Sequence, residues 1–211
     1  MTPRKLATHL NNHRYGEFNL TDAVRPGPNI PVWPREGYRV EVYRDRQLGL
    51  RLPMLSAAVS SERLFDIFLD LIAPLGEVVH VVLESSHDAE SDIHTDLRRD
   101  EIDLPVLASH LCDFENLLTN DGCTGIAIMA DNQPMEVQFD EHKLFHIYAP
   151  SLSPFRRVLH RAGLRRRKTF PLISEAEHLH HTTEEFAHEF RQLAMRLNVG
   201  ENDRVFSDEN W

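Results

Sequence analysis

The chain is short of the features that most quickly betray an activity. No apolar run approaches the ~18 to 20 residues of a membrane-spanning helix, the richest being Val78–Leu83, which His80 interrupts. Two cysteines, Cys112 and Cys123, are too few for a disulfide framework and lack the Cys/His spacing of a zinc module, so reduced thiols are expected. Nine glycines, none clustered, leave no phosphate loop and no dinucleotide fingerprint. Gly-x-Ser-x-Gly and His-Glu-x-x-His are both missing, as is any internal repeat of 20 to 50 residues. The first residues, MTPRKLATHLNNHRYG, place polar groups where a secretory signal has its apolar stretch, and a cytoplasmic protein is the expectation.

What is present is acid and histidine. Across 211 residues, 33 Asp plus Glu stand against 23 Lys plus Arg, for a formal charge of -10 that disfavours nucleic acid and anionic membranes as partners. A hydrophobic content of 41% suffices for a sizeable core and excludes disorder as the whole answer. Thirteen histidines are the one compositional oddity.

Five of the twelve prolines fall within residues 1–36 (Pro3, Pro26, Pro28, Pro31, Pro34), which predicts an extended arm packed on the body through its aromatics, with a short helix at about residues 4–11. Residues 37–200 read as one α+β domain and 201–211 as a polar tail. Period-two alternation from Tyr38 predicts a strand, a turn at Asp45–Gln47 and an antiparallel strand over 48–59, with Pro53 pointing to an edge or bulge. Ser60 or Ser61 starts a helix carrying Leu64, Phe65, Phe68, Leu69 and Ile72, closed by Pro74 and Gly76. The valine run Val78–Leu83 reads as a central strand covered on both faces.

Asp103 caps an expected four-turn helix with Leu104, Leu107, Leu111, Phe114 and Leu118 on one stripe and Cys112 beside it as a small core residue. Residues 124–130, 135–140 and 144–149 predict a three-strand meander with a tight turn at Glu141–Lys143. Helices follow from Ser153–Pro154 and, through the capping boxes Ser174/Glu177 and Thr182/Glu185, from about Thr182. The whole predicts a mixed or antiparallel sheet of about five to six strands with helices packed mainly on one face.

Three constellations carry chemistry. Residues 84–103 hold eight acids and two histidines and read as a long loop leaving a central strand. There His87, Asp92 and His94 have the ligand chemistry for zinc or another divalent metal, with Glu84 as a base and a bound water as nucleophile. The alternative is a solvated acidic loop that binds nothing, and the spacing matches no defined motif. The second, Glu185 with His188, is a Glu-x-x-His step without the second copy a dimetal bundle needs, and a helical pair of His181 with Glu185 explains it more simply. The third is the run Arg156, Arg157, Arg161, Arg165, Arg166, Arg167 and Lys168, with no acid among them. Phosphate binding competes there with stabilisation of a helix C-terminus. Ser85 and Ser86 before His87 do not make a triad on their own, and His80 reads as a hydrogen-bonded sheet histidine.

No family resemblance emerges from these residues. The reading that follows is a binding or regulatory module, without catalysis, that uses the acidic loop and the basic helix end as opposite-signed surfaces for a protein or small-molecule partner. Its alternative is a metal-dependent hydrolase centred on the acidic loop, and no cofactor is required by the leading reading. Trp33 and Trp211 raise self-association as a third route to function.

Overall fold

The computed structural model describes residues 9–45, 49–87 and 95–199. A two-stranded ribbon, β1 (Arg14–Tyr15) with β2 (Phe18–Asn19), leads to β3 (Val24–Pro26). A hairpin follows, β4 (Gly37–Asp45) with β5 (Leu50–Ala58), then helix α1 (Ser61–Ile72) and a 3-10 turn at Ala73–Leu75. Next come β6 (Val78–Ser85), β7 (Thr95–Asp103), α2 (Leu104–Asp113) and α3 (Glu115–Asn120). The chain continues through the meander β8 (Thr124–Ala130), β9 (Glu136–Phe139) and β10 (Leu144–Tyr148) to α4 (Ser153–Arg161), β11 (His178–His180) and α5 (Glu184–Arg196).

Helices and antiparallel sheet are therefore combined, but the main sheet has seven strands, in the order β4-β5-β10-β9-β8-β6-β7, which exceeds the five to six expected. The additional strand is β7, which occupies the second half of the stretch read as a loop and pairs with β6 from Ser85↔Thr95 to Val78↔Asp103. Its apolar residues Leu97 and Ile102 are five apart, an odd interval that alternation rejects. A bulge where the register shifts between Val79 and Val81, with Glu101 at φ 52°, restores both to the core face.

One face of the sheet is apolar across every strand. Leu55, Ile147, Val137, Ile128 and Val81 lie side by side in register, as do Ala57, Phe145, Phe139, Ile126 and Leu83. These residues join Leu64, Phe68, Leu71, Leu107, Leu111, Phe155, Leu159 and Leu193 in the main core. Phe68 of α1 supplies its centre, with ring centroids 5.0 Å from Phe139 and 6.1 Å from Phe145. The opposite face is half-exposed, so β6 alternates and is not covered on both sides as its valines suggested. Valine records β propensity, and here that propensity is met by a strand with one wet face.

Other expectations need correction. The long helix breaks at Phe114 (φ -120°, ψ 24°) into α2 and α3, so the stripe turns with the chain and Cys112 is exposed, not packed. Strand β5 is interior, between β4 and β10, not an edge. Its pairing with β10 covers only Met54–Ala58, however, and Pro53 faces a single neighbour, which removes the ladder bond it cannot donate. Helix α5 begins one residue later than read, with Thr183 Oγ1 accepting the Phe186 N–H. Of the turn expected at Asp45–Gln47, Asp45 ends β4 opposite Leu50 and the other two residues lie outside the described residues, as does most of the helix at 4–11.

The early segment packs through Tyr15, Phe18, Leu20 and Val24 against Leu144, Phe170, Leu172 and Ile173, a second apolar cluster. There β3 pairs antiparallel with β11, His178 opposite Pro26 and His180 opposite Val24. This small sheet brings β11 to the turn between β9 and β10.

Candidate functional site

That turn holds His142. Lys143 N–H donates to Asp140 O at 3.0 Å and Lys143 takes φ 62°, while Leu144 N–H donates to the Asp140 carboxylate at 2.7 Å. The loop is thereby pinned, with the Lys143 ammonium buried on Thr124 O at 2.8 Å and lowered by that burial to about 8. The two histidines of β11, spaced i and i+2, project from the same side of their strand. Together with His142 they place one nitrogen each within 4.8 Å of the others.

Ring geometry and hydrogen bonding both converge. The centroids of His142, His178 and His180 form a near-equilateral triangle of 4.7, 4.8 and 4.9 Å sides, each pair edge to face at 63 to 71°. His142 Nδ1 lies 3.0 Å from Asp140 Oδ2, His178 Nδ1 2.6 Å from Ala176 O, and His180 Nδ1 2.6 Å from Gly122 O. A carboxylate and two carbonyls only accept, so in each ring Nδ1 is the donor, and in a neutral imidazole the Nε2 lone pair is left bare. Nε2 of His142 and of His178 are 3.0 Å apart. Tetrahedral zinc with Zn–N bonds of ~2.0 to 2.1 Å sets its ligand nitrogens about 3.3 Å apart, and the donor set fits such an ion.

The residues behind the three rings fix their orientation and charge. Burial works against ionisation of Asp140, but hydrogen bonds from His142 and His146 prevail and hold its carboxyl well below the usual range. Burial likewise pulls His142 down, yet Asp140 outweighs it and raises the imidazole. Burial holds His180 below its ordinary value, with His142 and His178 adding to the effect. Asp140 continues outward through His146 Nε2 at 3.3 Å to Ser56 Oγ, 3.1 Å from His146 Nδ1. Gly122 admits β11: a Cβ there would stand 2.3 Å from Ala23 O and 2.8 Å from His181 O. In its absence Gly122 N–H reaches His181 O at 2.7 Å and Gly122 O is free for His180.

Of the ligands read from sequence, His87 is described and Asp92 and His94 lie outside the described residues. His87 Nδ1 is 2.7 Å from Ser85 Oγ, its Nε2 is 2.9 Å from Asp121 Oδ2, and Phe190 covers the ring. Ser85 and Asp121 are both buried, and the Nε2 contact is close without being a well-directed hydrogen bond. Glu84, the base in that reading, is pushed up to about 7 by burial and by Asp96, Glu136, Asp140 and Glu141. His80 does bond across the sheet surface, to Asp100 and Asp131. His181 precedes α5 and makes no helical pair with Glu185, because its backbone is committed to Ala23 and Gly122. His188 contacts Gln192 at 3.1 Å on an exposed face. Trp33 is 58% exposed, and Trp211 lies outside the described residues.

Sequence reasoning passed over His142, His178 and His180. The signal was His-x-His, which places two imidazoles on one side of a strand, inside a segment that drew attention only for its helical spacing. His142 lies 36 residues earlier, and nothing local links the two.

Fold and site together define an α+β protein with a three-histidine cluster where a small sheet meets a large one; among the described residues no helix is long and apolar enough to cross a membrane. No family model matches the chain, and neither a curated protein nor a solved structure matches it.

Proposed function

We propose that this protein binds a divalent first-row metal, zinc foremost, through Nε2 of His142, His178 and His180. One observation carries the reading: all three Nδ1 atoms are engaged by acceptors, which leaves Nε2 of each neutral ring free, in a cluster whose ligand nitrogens lie within 4.8 Å of one another. Backbone or carboxylate acceptors behind each imidazole are the usual means of fixing the ligating tautomer. Three protein ligands leave a coordination position for water or substrate, and a water so bound is a nucleophile near neutral pH. Hydrolysis is the reaction class such a centre supports, and the hydrolase reading thereby moves from the acidic loop to the β9–β10 turn and β11. A cytoplasmic location belongs to the same proposal, supported by the exposed free thiol of Cys112.

The test is a competition titration of chelator-stripped protein, prepared without a polyhistidine tag, against a chromophoric zinc chelator. One equivalent of zinc is expected to bind, with loss of that binding in H178A/H180A. Absence of stoichiometric uptake, or undiminished uptake by the double variant, overturns the proposal.

The binding-module reading keeps one supporting observation, the basic face of α4. It is independent of the metal centre.

A further inference from the structure

Helix α4 buries Phe155, Val158 and Leu159 and turns Ser153, Arg156, Arg157, His160 and Arg161 outward. At 100° per residue those five positions span about 140° of one helix face, with the guanidiniums of Arg157 and Arg161 one turn apart. No ion pair among the described residues includes Arg156, Arg157, Arg161 or the basic link that follows, although six other arginines and five histidines do pair with carboxylates. In a chain of net charge -10 the carboxylates are abundant, so leaving this face unneutralised is a property of where they were placed.

Helix-dipole stabilisation accounts for only part of it. Cations are favoured in the last turn, which suits His160 and Arg161. Arg156 and Arg157 are the fourth and fifth of the nine residues of α4, outside the last turn that the dipole favours. The carbonyl of Ala162 at the helix end is already taken by Arg63 at 2.6 Å. Beyond the helix, the link is laced to the edge strand β4, Tyr38 N–H donating to Arg165 O at 3.2 Å and Arg167 N–H to Tyr38 O at 2.8 Å. Between α4 and Tyr38 of β4 lies an open groove of about 580 Å³, lined by Tyr38, Ser153, Arg156, Arg157, His160 and Arg161. That volume is in the range of small-molecule sites.

We infer that this groove binds a compact polyphosphate, inorganic or as the phosphate tail of a nucleotide. Three guanidiniums within two helical turns neutralise several adjacent phosphoryl charges, whereas one carboxylate of an acidic peptide would occupy one fork and leave the rest unpaired. Arginine presents a planar pair of donors matched to phosphate oxygens. A lipid surface is disfavoured because the apolar side of α4 is committed to the core and has nothing to insert. Single-stranded nucleic acid is disfavoured because no exposed aromatic ring interleaves the arginines to stack a base.

Isothermal titration of the full chain with inorganic triphosphate and with ATP at low salt is the test. One site is expected, weakened at least about tenfold in R157A/R161A and only partly restored in R157K/R161K, since an ammonium cannot fork. H178A/H180A should bind as the parent does, which separates this groove from the metal centre. Equal affinity in R157A/R161A, triphosphate binding no tighter than sulfate, or tighter arginine-dependent binding of duplex DNA than of triphosphate would each overturn the inference.

Discussion

Nε2 of His142 and Nε2 of His178 stand 3.0 Å apart, although each ring has its proton drawn to the other nitrogen. Two lone pairs at that distance repel unless a proton or a cation lies between them. Under the proposed function a metal ion takes that place, and bound there it would tie β11 to the main sheet.

Zinc should accordingly raise the melting temperature of the parent protein. At free zinc 100-fold above the dissociation constant the gain is about 2.7 kcal/mol. Thermal unfolding with and without zinc measures it, and H178A/H180A should show no shift.

Asp140→Asn keeps the shape of the residue that holds Nδ1 of His142 but replaces a carboxylate by an amide. Zinc affinity should fall roughly 10- to 100-fold, the usual cost of losing the group behind a ligand. Competition titration reads this, and an unchanged affinity would show that Asp140 serves the turn alone.

Gly122→Ala would drive a methyl into the backbone of Ala23 and His181. Separation of β11 from residue 122 should cost on the order of 2 kcal/mol in urea unfolding and remove the acceptor of His180 Nδ1. Zinc affinity should drop with stability. A variant as stable as the parent would contradict the close approach.

Glu84 sets a pH dependence of stability. Its folded pKa, raised to about 7 by burial and neighbouring acids, exceeds that of the unfolded chain. The folded state thus holds this proton more tightly, a contribution fully present below about pH 4.5 and lost as pH rises through 7, worth about 3 kcal/mol in all. Glu84→Gln should flatten that decline in urea unfolding between pH 4.5 and 8. An identical profile in the variant would exclude Glu84 as its source.

The two thiols should react at different rates. Cys112 is exposed on α2, whereas Cys123 is half-buried and its thiol is pushed up by that burial. Labelling at neutral pH followed by peptide mass analysis should modify Cys112 faster by about tenfold or more, since the thiolate is the reactive form. Faster modification of Cys123 would count against the packing of residues 121–124.

Local periodicity was enough for much of the fold. The alternation of β4, the stripe of α1, the meander and the amphipathic face of α4 are each encoded within a few residues, because side-chain direction repeats every 2 or 3.6 positions. Where a bulge or a break changes that period, the pattern misleads: residues 84–103 read as loop for their acids and sparse apolar content, and the two apolar residues of β7, Leu97 and Ile102, are out of phase, while α2 with α3 read as one helix because the turn at Phe114 leaves the spacing of leucines intact.

The site lay beyond such reasoning. Composition alone showed that imidazoles and acids are plentiful and that residues 156–168 carry no acid, while the strand that puts His178 and His180 on one side was not legible. Only the tertiary structure decided that β3 and Gly122 bring that strand to the His142 turn, and that Asp140, Ala176 and Gly122 orient all three rings. Coordination depends on where lone pairs meet in space, and residues 36 apart meet only after the sheet, its turn and the small sheet beside it have formed.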